Sequence, residues 1–235
     1  SQDSTGMLAT LEADLPEPAM VPDDPACAAI ALLLEDYADE WLNKAMFQAR
    51  WSQSPDREAA AQRLMVQLFG DHTPKDEAAA IESISQRMAG RLPLVGAGGK
   101  NAALVQASFE RFATLLDAHL KTTLFIFGGR PTVADFAIAG QTFQMLADPT
   151  PGAWLRENAP FLTEWSEFMD KPVQNGAFQS LDTLAPTLVP LLRDEVAATY
   201  LPWALANALS VSKRRKKVKA DIDGATFEQS MQKYA

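Results

Sequence analysis

Residues able to do chemistry are sparse in this chain. It holds two histidines, His72 and His119, and one cysteine, Cys27. Neither histidine has a second histidine or cysteine three or four residues away, the spacing by which a helix presents two metal ligands on one face, so no metal is expected. A single thiol allows neither an internal disulfide nor a thiolate cluster, which fits a reducing compartment and a bystander role for Cys27. The stretch GAGGKN, Gly96 to Asn101, has glycines and a lysine but not the G-x-x-x-x-G-K-[ST] spacing of a phosphate loop, and no apolar strand precedes it. It reads as a flexible connection. No G-x-S-x-G nucleophile elbow is present.

Two denser constellations remain. KRRKK, Lys213 to Lys217, is a sign-reversed run in an acidic chain, and it reads as a solvated connection rather than a phosphate-binding element. EDYADEW, Glu35 to Trp41, packs acids and aromatics into two helical turns. It reads as a solvated face beside a core stripe, with the alternative that its aromatics line a cleft.

The chain has 235 residues, 47% of them hydrophobic, and a formal net charge of −9. That length suffices to bury roughly 70% of the extended-chain surface, and the charge disfavours nucleic acid and anionic membranes as partners. No apolar run reaches the roughly 20 residues of a membrane span, and no leader pattern is recognisable, so a cytoplasmic protein is expected. The chain opens on Ser1 and not on Met, which suggests a fragment or a trimmed product.

The elements that must position these residues are nearly all helical. Residues 3–13 read as a short helix with Ser4 available as its cap, and the prolines of LPEPAMVPDDP mark a boundary. Long apolar periodicities predict helices over 26–50, 58–69, 75–91, 102–121, 133–147, 159–169 and 188–209, the last bent or interrupted by Pro202. Beyond them Val218, Ala220 and Ile222 alternate, and Asp223-Gly224 is a tight-turn pair, which predicts a terminal β-hairpin. In GGRPTVADFAIAG, Thr132 and Asp135 have the spacing of a capping box that starts a helix apolar on nearly every side, as suits the centre of a bundle.

Taken in order, four stretches resemble the cytosolic glutathione transferase superfamily: QDSTGMLATLE as the last helix of a thioredoxin-like domain, LPEPAMVPDDP as the linker, EDYADEWL as part of the first long helix of the all-helical domain, and RPTVADFAIAG as its capped central helix. The resemblance implies a mainly α fold: a glutathione transferase C-terminal-like helical bundle at 26–210, after a thioredoxin-like remnant at 1–15 and a linker at 16–25. A basic segment and β-hairpin extension follow at 211–235. It implies glutathione as substrate, with Gln2, Asp3 and Ser4 at its γ-glutamyl end, an apolar electrophile in a second-substrate cleft near Tyr37, Trp41 and Phe47, and a homodimer. Thr132 and Asp135 would be structural, with Asp135 buried on backbone amides. The family's thiol-activating residue lies in a β-α-β region with no counterpart in this sequence, so no catalytic residue is assigned. The other reading is a catalytically silent module for binding or dimerisation.

Overall fold

The computed structural model describes residues 4–233 apart from 71 and 73. A first helix, α1 (Ser4–Asp14), is followed by the proline-rich linker, and α2 (Pro25–Tyr37) starts where Asp24 accepts the amide of Cys27 at 2.8 Å. The helix continues through a π segment (Ala38–Leu42) into α3 (Asn43–Trp51). The π segment explains an irregular step in the sequence pattern. Trp41 and Met46 are five residues apart, out of phase in an α-helix, and the wider π turn brings both into the core. Of the apolar stripe that periodicity suggests, Leu34, Tyr37, Trp41 and Met46 are buried, joined by Cys27, Ala31 and Ala38, while Ile30 and Leu33 are half-buried.

Helices α4 (Asp56–Phe69) and α5 (Glu77–Ala89) form a hairpin over a separate small cluster of Trp51, Ala60 and Ala61. Then come α6 (Ala102–Leu120), α7 (Val133–Leu146), α8 (Pro149–Asn158) and α9 (Pro160–Phe168). The α8 helix has no counterpart in the sequence expectation. Its two early prolines, Pro149 and Pro151, look like breakers, yet they occupy a first turn whose amides have no intrahelical partner anyway. Central α7 packs on α2, α3, α8 and α9 but leaves Phe136, Gly140 and Phe143 at the surface, so it is less enclosed than its composition suggests.

The final helix starts at Leu181, earlier than expected, and runs as α10 (Leu181–Leu191), a π segment (Leu192–Tyr200) and α11 (Leu201–Ser212). Pro202 does not break it, because it falls in the first turn of α11 just after the π segment.

Strands β1 (Lys217–Ile222) and β2 (Ala225–Ser230) pair antiparallel, with Ala220 opposite Phe227 and Ile222 opposite Ala225. Asp223 and Gly224 have φ of +49° and +74°, the two positive values that a tight hairpin turn needs. This hairpin is part of the core and not an appendage. Phe227 is fully buried with its ring 5.4 Å from Trp41, whose indole is 6.0 Å from Trp203. The glycine-rich stretch is its seat: a Cβ on Gly96 would lie 2.1 Å from Gln229 Oε1 and 2.8 Å from the Phe227 ring. The Asn101 amide donates to the carbonyls of Gly96 and Glu228, both at 2.9 Å.

Candidate functional site

At the N-terminal end, Gln2 and Asp3 lie outside the described residues, and Ser4 opens α1. The helix is held against α2 and the linker by polar contacts: Thr5 Oγ1 donates to Glu35 Oε1 at 2.6 Å, and the Met20 amide donates to Glu12 Oε1 at 2.8 Å. The linker in turn accepts the first amide of α7, Val133 N to Met20 O at 3.0 Å. A mostly apolar cavity of about 420 Å³ lies between α1, Val21, Leu32 and Val133.

Tyr37, Trp41 and Phe47 do not share one wall. Tyr37 is 0% and Trp41 2% exposed, both inside the core, where neither ring faces solvent. Phe47, half-buried, is on the far side of the helix against Trp51 at 6.3 Å, in the cluster beneath the α4–α5 hairpin. The periodicity that marks an aromatic stripe as inward cannot tell a filled core from the wall of a cleft.

Tyr37 and Trp41 meet a buried charge network. Glu195, fully buried in the second π segment, accepts from Tyr37 Oη at 3.1 Å, Thr199 Oγ1 at 2.9 Å, Arg111 Nε at 2.8 Å and the hydroxyl of Ser108. Ser108 Oγ accepts from the Trp41 indole at 2.8 Å. Arg111 also pairs with Asp223 in the hairpin turn at 2.7 Å. Burial raises the Glu195 carboxyl above its ordinary range against these donors, and burial with the facing carboxylate pushes the Tyr37 phenol well up. With no ionised phenol at neutral pH, this arrangement is one of positioning: it locks α2, α6, the π segment and the hairpin together. Sequence reasoning missed Glu195, although its phase, four residues after buried Leu191 and four before Thr199, puts a charge on a core stripe.

The capping box is formed. Asp135 Oδ2 accepts the Thr132 amide at 2.8 Å and its hydroxyl at 2.7 Å, and Oδ1 accepts the Ile126 amide at 2.9 Å. Full burial raises the Asp135 carboxyl to about 6 even though these donors favour the charged form. The loop before it, Phe125 to Gly129, is clamped by residues 175–179: Gly129 N donates to Ala177 O at 2.9 Å, and Gln179 N to Phe127 O at 2.9 Å. A Cβ on Gly129 would lie 2.4 Å from Asn175 O, so glycine is needed for this crossing. His119 secures the same loop. Its Nε2 is 2.8 Å from the Ile126 carbonyl, which can only accept, so Nε2 carries the proton and Nδ1 accepts from Thr187 at 2.7 Å. Burial lowers its pKa and keeps it neutral. Among the described residues no group of three histidine, cysteine or carboxylate side chains is placed to hold a metal ion.

No curated protein and no solved structure matches the chain significantly. The family model described as "Glutathione S-transferase, C-terminal domain" matches residues 77–168, from α5 to the end of α9, with the capping box inside the match. Over residues 77–168, which include the formed capping box of Thr132 and Asp135, the chain is therefore similar to a glutathione S-transferase C-terminal domain.

Proposed function

We propose that this chain is the helical portion of a glutathione-using enzyme that conjugates or otherwise uses the thiol on an apolar electrophile. The family match across the capped central helix is the observation that carries the reading. In it, Gln2, Asp3 and Ser4 hold the γ-glutamyl end of glutathione: the amides and hydroxyl at the head of α1 take the carboxylate, and Asp3 takes the ammonium. The thiol would be activated by a residue outside this sequence, in a thioredoxin-like region, and the active form would be a homodimer. Of the three aromatics assigned to the second-substrate cleft, Tyr37 and Trp41 serve by holding the helix from inside, and Phe47 is the one with exposed surface.

The test uses a natural form of the protein that includes a thioredoxin-like region. Glutathione-dependent conjugation of 1-chloro-2,4-dinitrobenzene is expected, with KM for glutathione rising about tenfold in Ser4→Ala, as for loss of one hydrogen bond to a charged group. If that form neither binds glutathione in a calorimeter nor conjugates, the enzyme reading fails and a silent binding or dimerisation module takes its place.

A further inference from the structure

A second cavity, of about 310 Å³, lies well away from α1, enclosed by the end of α3, the start of α4, the early turns of α6 and the first turn of α8. That is the size of a small-molecule site. Its floor is apolar: Met145 and the rings of Phe109 and Trp154, whose centroids are 5.8 Å apart.

Three of the polar groups around that floor present acceptors with no cation beside them in the lining. Asp56 is 4% exposed; its Oδ1 accepts the Thr150 amide at 2.7 Å, and it makes no ion pair among the described residues. Glu110, half-buried, accepts only the neutral amide of Gln106 at 2.9 Å and is likewise without a cationic partner among the described residues. Gln48 is 9% exposed. Its Nε2 donates to Ala102 O at 2.9 Å, while its buried Oε1 has no partner among the described residues. Among the described residues no lysine, arginine or histidine lines the cavity. Of the arginines on neighbouring turns, Arg50 and Arg63 are turned to Asp148, and Arg57, next to Asp56 on α4, does not line the cavity. The α3 helix also ends here, bringing the partly negative carbonyls of its last turn, whereas the α8 amide of Thr150 is already taken by Asp56. The charged side chains of the walls are therefore both carboxylates, beside the neutral Ser52, Gln53, Ser54 and Gln106 and the unpartnered Gln48 Oε1, above a floor with aromatic faces.

We propose that this cavity binds a small organic cation, an ammonium carrying an aryl body. The ring would lie against Phe109, Met145 and Trp154. The ammonium, a donor of several N–H bonds with nothing to accept, would satisfy Gln48 Oε1, neutralise Asp56 and Glu110, and gain from the indole face. An anion would meet two carboxylates, and a neutral alcohol would leave both unpaired. The site shares no residue with the capping box, α1 or the aromatics assigned to the second substrate, so it stands apart from the glutathione reading.

The experiment titrates the purified chain at pH 7 with three probes of one shape: 2-phenylethylammonium, 2-phenylethanol and phenylacetate. By calorimetry the ammonium should bind at least about tenfold more tightly than either of the others, with amide shifts in NMR confined to the segments around Ala49, Phe109 and Trp154. Asp56→Asn, which keeps the acceptor for Thr150, and Glu110→Gln should each weaken ammonium binding about fivefold and narrow the preference. If Asp56→Asn changes the circular dichroism spectrum, Glu110→Gln decides. Equal binding of the three probes, no binding of the ammonium, an affinity unchanged in Glu110→Gln, or shifts elsewhere on the protein would each overturn the proposal.

Discussion

Two buried charges set against their surroundings give the sharpest residue-level expectations. Asp135 is held by three donors, yet full burial leaves its carboxyl at about 6 in the fold against 3.8 in the open chain. The folded state therefore keeps this proton at pH values where the unfolded chain has lost it, and the stability that the proton brings, present below pH 4, is lost as pH rises through 6. Compared with Asp135→Asn, the parent should lose about 2 kcal/mol between pH 4 and pH 6.5 in denaturant titrations. Thr132→Ala should cost about 1 to 2 kcal/mol by loss of the cap. Lys44 behaves in the opposite sense. It is 5% exposed with Nζ 4.1 Å over the Trp203 ring, and burial lowers its pKa to about 8 although Glu40 nearby opposes this. Here the unfolded chain holds the proton longer, so the parent gains stability as pH rises from 8 to 10.5. Lys44→Met, which fills the same space without the charge, should be more stable at pH 7 by about 1 to 3 kcal/mol, and that advantage should shrink steadily across the alkaline window.

At the scale of elements, the terminal hairpin departs furthest from its appearance in the sequence. Alternating residues and the Asp223-Gly224 turn reveal that it forms; nothing local reveals that Phe227 closes the aromatic core or that Gly96, some 130 residues earlier in the chain, must be bare to receive it. Phe227→Ala should cost about 3 to 5 kcal/mol in urea unfolding. Gly96→Ala should be destabilising too, since its φ of +74° strains any side chain and its Cβ would strike Phe227 and Gln229. The same contrast governs what was legible elsewhere. The helices over 102–120 and 133–146 follow from unbroken periodicity and a capping box, both local signals. Residues 149–158 and 181–187 lack such a signal: their prolines, which usually end helices, sit in a first turn at Pro149 and Pro151 and inside the helix at Pro186. At the candidate site, the sequence named Tyr37 and Trp41 as aromatics of interest, but whether an inward ring meets a ligand or Glu195 and Ser108 depends on helices about 70 and 160 residues away.

Across the whole molecule, charge is distributed so that the one basic run is partly spent on the protein itself. Lys217 and Lys219 both reach Glu228, and their proximity holds that carboxyl down at about 2. With a net charge of −9 around the remainder, the run should bind neither duplex nor single-stranded DNA at about 0.15 M salt, where the Debye length is about 8 Å. A fluorescence anisotropy titration checks this, and micromolar binding that weakens steeply with added salt would show instead that the run is a polyanion site. A last consequence lies in the packing of Trp203, whose buried indole has the rings of Trp41 and Tyr200 at 6.0 Å and 5.9 Å, both at inclined angles. Transition dipoles so close and so skewed couple chirally, so the protein carries its own optical reporter at the seam where the hairpin meets the helices. Undocking of the hairpin alone should quench the near-ultraviolet circular dichroism while leaving the helical far-ultraviolet spectrum almost untouched.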